Sequence, residues 1–346
     1  MRLTYCTMKI NYLFINIFII VRRMDSSKRE GFLQDIAFDY YNNKMATCNT
    51  SSQIHIYTKD KENKWKHQTF WDAGDVVFRL QFSHPEFGNL LASCGLNKLV
   101  LIWKEEKDTS ESQWMRRAKI QDFTESVEDI SFCPYRHGLK LATVTLNGKL
   151  KIFEPSDYIH YSNWNCLVTE YVCVAGCSSV CWNPTSSDPQ SLIVGCMSNK
   201  DSDECKLGKE KLIRLYVFDE SNIKNCTSFY FENGHCDDVT DIEWANRSGR
   251  DFHLIASCSL DKKLIVWTLV LNVDNKGKKT EEVNIKYCKC FEYLHSKPLW
   301  RVSWNYMATL LSVIDECGEV LVFKKIARDK FEKMNISDNV EYENKH

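Results

Sequence analysis

Apolar and polar residues alternate along most of this chain in short runs, and clusters of Asn, Asp, Ser, Gly and Pro interrupt the runs at near-regular intervals. Alternation with a period of two marks half-buried β-strands, whereas an amphipathic helix repeats every ~3.6 residues. No twelve-residue stretch between 30 and 325 carries the helical period. The segment FRLQFSHPEFGNLLASCGLNKLVLIW (78–103) shows the unit. It predicts an apolar strand, a turn, a strand of the type Leu-Ala-Ser-Cys, a tight turn, and an alternating strand that ends on Trp103.

The unit recurs. QDIAFDYYNNKMATCNTSSQIHIY (34–57) ends on Tyr57, and VEDISFCPYRHGLKLATVTLNGKLKIF (127–153) ends on Phe153. A fourth copy starts SSVCWNP (178–184), continues SLIVGCMS (191–198), and resumes as KLIRLYVF (211–218) to end on Phe218. VTDIEWANRSGRDFHLIASCSLDKKLIVW (239–267) ends on Trp267, and LWRVSWNYMATLLSVIDECGEVLVF (299–323) on Phe323. The closing aromatics are 46, 50, 65, 49 and 56 residues apart. A four-stranded propeller blade takes roughly 40–45 residues. Two charged insertions, 199–211 and 272–284, account for the long intervals as polar loops.

A polar residue stands six before the closing aromatic in most copies: Ser51, Asn97, Asn147 and Asp261, with Cys317 the outlier. Asn and Asp suit tight turns because they tolerate left-handed backbone angles and bond back to the chain. Candidate fourth strands lie between the copies: KWKHQTFW, QWMRRAKI, NWNCLVTEYV, TSFYFE and IKYCKCFEYL, with KFEKMNIS after the last. Together these elements predict an all-β chain, a six-bladed β-propeller over 30–338. An N-terminal extension (1–29) and a C-terminal tail (339–346) flank it. No blade buries both faces alone; stacking buries them and leaves short, protected edges.

Composition narrows the function. The chain is 346 residues long, 44% hydrophobic and 26% charged, with a formal net charge of −1. That charge exerts no long-range pull on nucleic acid or anionic lipid. The short basic run Lys276-Gly277-Lys278-Lys279 reads as a solvated loop. The sixteen Cys are scattered, many among strand-like apolar residues such as Cys48, Cys94, Cys181 and Cys258. Buried thiols behave as small hydrophobes, and a disulfide framework belongs to shorter, core-poor chains, so a reducing compartment is expected. The Asn-X-Ser/Thr matches at Asn49, Asn225, Asn246 and Asn335 are then coincidental. Residues 11–21, NYLFINIFIIV, are strongly apolar but too few to span a bilayer. Three readings stand for them: an extended or mis-assigned start, an extra strand or anchor, and a signal without a cleavage site.

Candidate chemistry is sparse. His235, Ser257 and Asp261, with Trp267, resemble on paper a Ser-His-Asp set. The same residue types resemble more closely the WD-type blade, in which His, Ser, Asp and Trp at these places form a buried structural relay. Such a relay satisfies polar groups that cost a few kcal/mol each when unpaired, and no nucleophile elbow accompanies it here. Cys173, Cys177 and Cys181 are four apart and Cys288 and Cys290 two apart, without Cys-x-x-Cys or a zinc-like His, so ordinary strand and loop cysteines are expected. His84 and His137 belong to turns. No phosphate-binding glycine motif occurs. Catalytic residues, metals and cofactors are therefore assigned as none, and the chain reads as a non-enzyme.

Sheet edges remain. Copy one begins at Leu33, and no closing strand is evident in the core sequence. Unpaired edges at the first and last blades template pairing with another chain. The insertion site would involve Gln34, Asp35, Ile36, Ala37 and Phe38 of blade one, and Val320, Leu321, Val322 and Phe323 of blade six. Closure by residues 12–21 of the chain itself stands beside that reading.

Several stretches are similar to the SEH-type nucleoporins, a branch of the SEC-thirteen-homologue family of WD-repeat proteins. The likeness spans about 30–325 and rests on DIAFDYYNNKMATC, SHPEFGNLLASC, QWMRRAKIQDFTESVEDISFCP, SSVCWNPTSS, GRDFHLIASC and LWRVSWN. QWMRRAKI with the following TESVEDISF, WNPTSS and GRDFH resemble the SEH branch in particular. The resemblance implies an open six-bladed propeller completed by a blade from a helical nucleoporin, within the Y-shaped complex of the nuclear pore's outer ring. It also implies membership of a lysosomal or vacuolar complex that relays amino-acid status to the TOR kinase, and in animals visits to kinetochores. The sister branch, a secretory vesicle-coat propeller, is the alternative. A propeller hydrolase or phosphopeptide reader would need converging charges on the top loops.

Overall fold

The computed structural model describes residues 33–107, 112–200, 211–219, 222–274 and 282–334. The N-terminal extension, the tail, the end of KFEKMNIS and most of the 199–211 insertion lie outside the described residues. Twenty-four strands among those described form six four-stranded antiparallel sheets, each built from consecutive strands. Blade 1 holds β1 (Leu33–Phe38), β2 (Lys44–Asn49), β3 (Gln53–Lys59) and β4 (Trp65–Asp72). Blade 2 holds β5 (Val77–Phe82), β6 (Leu90–Gly95), β7 (Val100–Lys107) and β8 (Ser112–Ile120). Blade 3 holds β9 (Val127–Phe132), β10 (Leu141–Thr145), β11 (Lys149–Pro155) and β12 (Trp164–Tyr171). Blade 4 holds β13 (Cys177–Trp182), β14 (Ser191–Cys196), β15 (Ile213–Phe218) and β16 (Cys226–Tyr230). Blade 5 holds β17 (Val239–Trp244), β18 (His253–Ser259), β19 (Lys263–Asp274) and β20 (Glu282–Leu294). Blade 6 holds β21 (Leu299–Trp304), β22 (Leu310–Asp315), β23 (Val320–Ala327) and β24 (Lys330–Met334). Among the described residues no helix is long and apolar enough to cross a membrane.

The chain divides into two compact units at Val239/Thr240, blades 1–4 falling in one and blades 5 and 6 in the other. In the first, Ala46, Cys48, Ile54 and Ile56 of blade 1 pack against Leu80, Leu91 and Trp103 of blade 2. The other face of blade 2, with Ala92, Cys94 and Ile102, packs against Ile130, Leu141 and Phe153 of blade 3. In the second unit, Leu254, Ala256 and Val266 of blade 5 meet Val302, Leu311, Val313 and Phe323 of blade 6. The small residue of each Leu-Ala-Ser/Thr strand (Ala46, Ala92, Ala142, Ala256) is completely buried. Alanine there lets neighbouring sheets approach where a larger side chain would hold them apart.

Two expectations are corrected. The 272–284 insertion is not only a loop: β19 runs on to Asp274 and β20 starts at Glu282, paired through Asp274↔Glu282, so a two-stranded ribbon extends blade 5. In the tight turns, the left-handed angle falls one residue later than the polar position. It lies at Ser52, Lys98, Gly148, Lys262 and Gly318. The polar residue caps instead. Asn97 Oδ1 accepts from Leu99 N–H at 3.2 Å and Asp261 Oδ1 from Lys263 N–H at 2.9 Å. His84 holds a turn through Nδ1, which accepts from Glu86 N–H at 3.3 Å, and His137 lies in the corresponding turn of blade 3.

Candidate functional site

The inner strand of a blade has one neighbour in its own sheet, so every other backbone N–H on its free edge needs a partner from elsewhere. Side chains of the preceding blade supply it. Asp35 Oδ2 accepts from Leu80 N–H at 2.8 Å, Asp129 Oδ2 from Val180 N–H at 2.8 Å, and Asp241 Oδ2 from Val302 N–H at 3.1 Å. Two residues further along, Gln81 Oε1 accepts from Phe132 N–H at 2.5 Å, Ser131 Oγ from Trp182 N–H at 3.3 Å, and Glu243 Oε2 from Trp304 N–H at 2.5 Å. A register shift precedes the first of these positions in blades 1, 2, 3, 4 and 6, between Leu33/Asp35, Val77/Arg79, Val127/Asp129, Cys177/Ser179 and Leu299/Arg301. A bulge of this kind re-aims the next side chain. In blade 2 that side chain is Arg79, a donor rather than an acceptor, and its Nε pairs with Asp129 Oδ1 at 3.1 Å, both residues buried.

These carboxyls feel their surroundings. Burial pushes Asp35 up to about 6 against the pull of Arg79 and of the Leu80 and Ile36 N–H groups. Burial pushes Glu243 up to about 8, with Asp241 beside it adding to the shift and the Trp304 N–H and Ser303 hydroxyl opposing it. The arrangement ties blade to blade and leaves no carboxylate pair free for acid–base work among these residues.

Of the four relay residues, the structure joins Trp267 to Ser257, the indole Nε1 donating to Oγ at 3.1 Å. Asp261 caps the hairpin turn as described, and His235, in the segment before β17, is buried. Blade 2 repeats the indole–hydroxyl bond, Trp103 Nε1 to Ser93 Oγ at 2.9 Å. Blade 6 carries a related set that sequence reading missed. His295 Nε2 lies 3.4 Å from Asp315 Oδ2, Lys297 Nζ lies 3.7 Å from the same oxygen, and Asp315 Oδ1 accepts from Cys317 and Glu319 N–H. The donor atoms of His295, Asp315 and Glu319 cluster closely enough to hold a cation. The Lys297 ammonium beside Asp315 already supplies that positive charge, so the set reads as a turn clamp. The twenty residues between His295 and Asp315, spanning one inner strand and one hairpin, are the signal that could have found it.

The expected partner-binding residues divide. Gln34, Asp35, Ile36, Ala37 and Phe38 lie on β1, which is an edge of its sheet. Val320, Leu321, Val322 and Phe323 lie on β23, which pairs with β22 on one side and β24 on the other. Both ladders of that strand are filled, so it cannot accept an added strand, and the edges of blade 6 are β21 and β24. What the two terminal blades do offer is a face each. On the face of blade 1 turned from blade 2, Ile36, Phe38 and Trp65 are half-buried, and His55, His67 and Phe70 form a ring cluster with centroids 5.4–6.1 Å apart. Phe70 is 56% exposed. On the face of blade 6 turned from blade 5, Ile314 and Val320 are half-buried and Met334 is exposed.

Six consecutive four-stranded sheets, tight-turn caps and indole–hydroxyl bonds define the class: a six-bladed WD-repeat β-propeller. Residues 224–268 match the family described as WD domain, G-beta repeat, a stretch from β16 through β17 and β18 into β19. Across nearly its whole length the chain is similar to Nucleoporin SEH1-A of Xenopus laevis, 28% identical over 325 residues, covering 92% of this chain and 88% of that protein. Nucleoporin SEH1-B of the same species is 29% identical over 326 residues with the same coverage. Nucleoporin SEH1 of Homo sapiens is 28% identical over 313 residues, covering 88% of this chain and 85% of that protein. The chain is thus similar to the SEH-type nucleoporins along about nine-tenths of its length.

Proposed function

We propose that this chain is a non-enzymatic structural component of the nuclear pore complex, binding other nucleoporins. The observation that carries the reading is the likeness to proteins named Nucleoporin SEH1 along about nine-tenths of the chain. The site geometry supports a scaffold: its buried polar groups are spent on joining blades and closing turns. In finer detail, the chain serves the Y-shaped complex of the outer ring and so the transport of protein and mRNA. A helical nucleoporin donates a blade that stacks on the half-exposed apolar face of blade 1. Stacking of that kind buries Phe70, Phe38 and Trp65, as adjacent blades bury theirs. The same chain takes part in the complex at the lysosomal or vacuolar surface that signals amino-acid status to TOR.

Affinity purification of the tagged full chain, with mass spectrometry of the eluate, tests the reading. Nucleoporins as the dominant partners support it, with subunits of an amino-acid-sensing complex supporting its second part. An eluate dominated by secretory-coat proteins overturns it in favour of the sister branch.

A further inference from the structure

Three turns of blades 5 and 6 meet beside Phe252. The β17–β18 turn brings Arg250 and Phe252, the β21–β22 turn brings Tyr306 and Met307, and the β23–β24 hairpin brings Lys325 and Arg328. Ser248 Oγ donates to the Tyr306 carbonyl at 3.3 Å and Arg250 Nη1 to the Met307 carbonyl at 3.2 Å, which ties the first turn to the second. Lys325 Nζ lies 4.8 Å and the Arg328 guanidinium carbon 4.4 Å from the centre of the Phe252 ring, which ties the first turn to the third. The pairing of β23 with β24 shifts register between Lys325 and Ala327, and Ala327 pairs with Lys330, so Arg328 and Asp329 form the hairpin tip. A bulge of this kind re-aims the side chains beside it, and here Lys325 turns onto Phe252.

Three positive charges therefore converge without a counter-ion. Arg250, Lys325 and Arg328 form no ion pair among the described residues. Asp251 and Asp329, the acids adjoining them in the chain, are exposed and pair with none of the three. Arg250 Nη2 donates to the Asn246 carbonyl at 2.5 Å, and its Nε is buried without a hydrogen-bond partner. Most of the five N–H groups of that guanidinium stay unspent. A cation on an aromatic ring keeps its charge, and like charges crowded together repel until an anion joins them. Burial, with Arg250 and Arg328 nearby, holds the Lys325 ammonium below its usual range, Cys290 opposing. Lys325 is half-exposed and Arg328 exposed, so the cluster opens to solvent. Its rim is apolar: Tyr306, Met307 and Ile326 are all exposed.

We propose that Arg250, Lys325 and Arg328 form a recognition site for a phosphoryl group carried on an extended segment of a partner protein, with Tyr306, Met307 and Ile326 receiving the side chains that flank it. Guanidinium groups meet phosphate through paired N–H···O bonds, and an ammonium adds a point charge. Converging charges are what a phosphopeptide reader requires, and the turns at this end of blades 5 and 6 supply them. The cluster is compact and its border apolar, which fits one phosphorylated side chain in a peptide. A nucleic acid or an anionic membrane calls for a longer basic track, and the net charge of −1 exerts no long-range pull toward either. The site goes beyond the scaffold reading: phosphorylation of a partner becomes a signal that this chain can hold.

The test uses the full chain at low salt. The probes are a fluorescent phosphoserine peptide library with degenerate flanking positions, the same library without phosphate, inorganic phosphate as competitor, and phosphatidylserine vesicles read by co-sedimentation. The phosphorylated library is expected to bind roughly tenfold or more tighter than its unphosphorylated counterpart, and to bind more weakly as salt rises. Arg328→Gln alters an exposed side chain at a hairpin tip, and is expected to lose that preference while keeping the parent's melting temperature. Lys325→Gln is expected to weaken it as well. Should Lys325→Gln fail to fold, Arg328→Gln carries the test. Equal binding of the two libraries, or a folded Arg328→Gln that keeps the preference, overturns the proposal. So does inorganic phosphate that binds as tightly as the phosphorylated library (an adventitious ion only), or retention by the vesicles at salt concentrations that release the library.

Discussion

Trp103 Nε1 donates to Ser93 Oγ at 2.9 Å in blade 2, and Trp267 Nε1 donates to Ser257 Oγ at 3.1 Å in blade 5, each across ten residues. The bond fastens the third strand of a blade to its second, and both indoles are buried. In both blades the bonded Trp sits at a bulge in the pairing of the third and fourth strands. Trp267→Phe keeps most of the apolar surface but removes the indole that donates to the buried Ser257 hydroxyl. It is expected to destabilise the protein by about 1–2 kcal/mol. In a double-mutant cycle, Trp267→Phe with Ser257→Ala is expected to cost less than the sum of the single changes, read from urea denaturation midpoints.

The Arg79–Asp129 pair joins blades 2 and 3 where both side chains are largely withdrawn from water. Arg79→Met strands a buried carboxylate that also accepts the Val180 N–H. The expected cost is ~3 kcal/mol. Arg79→Lys is expected to recover part of it, because the ammonium restores charge without the guanidinium's planar fork.

The raised carboxyls make stability depend on pH in a definite sense. Glu243 moves from the ordinary 4.5 to about 8 on folding. The folded protein therefore holds this proton at pH values where the unfolded chain has lost it. Its contribution is fully present below pH 4.5 and is lost as pH rises through 8. Asp35, raised from 3.8 to about 6, acts in the same direction over a lower range. Glu243→Gln is expected to flatten the fall in melting temperature between pH 5 and 8 (roughly 1–3 kcal/mol at the upper end). A variant whose pH profile parallels that of the parent would contradict this.

Lys262 holds φ 69 at the left-handed position that Gly148 and Gly318 occupy in blades 3 and 6. Lys262→Gly relieves the crowding that a Cβ suffers there, and is expected to gain about 0.5–1 kcal/mol. The gain would appear as a higher urea midpoint with an unchanged slope.

On the terminal face of blade 1, Phe70→Asp alters a half-exposed ring and is expected to change stability by less than about 0.5 kcal/mol. It is expected to weaken capture of a helical nucleoporin fragment, because an added blade would bury the new charge. Ile36→Pro removes a backbone N–H from the free edge of β1, where an added strand would pair, and is expected to weaken capture too. Circular dichroism must show that blade 1 still folds in that variant. Undiminished capture by a folded Phe70→Asp protein would argue against this face.

Much of this architecture is legible in the pattern of the chain because a blade is a local object. The alternation in FRLQF, the small residues of LLASC and the aromatic at Trp103 all concern strands that pair within forty residues of one another. Relations between blades are not legible in the same way. Nothing about Asp35 alone shows that it meets Leu80 N–H, forty-five residues on, and nothing about Asp129 shows that it meets Val180 N–H, fifty-one residues on. The expected insertion site at Val320–Phe323 failed for a related reason. Terminal position in the repeat suggested an edge, but the fourth strand already legible in KFEKM makes β23 an interior strand, paired on both sides. The 272–284 insertion is polar enough for a loop, yet its two arms face each other and pair. The turn residues were found by chemistry, although the strained angle belongs to the residue after each.

The central claim is that this chain is a nuclear pore scaffold, and purification of the tagged full chain from cells tests it most directly. The account predicts that nucleoporins dominate the eluate, a helical one among them in about equal amount, with that partner reduced for Phe70→Asp. An eluate of secretory-coat proteins without nucleoporins would contradict it.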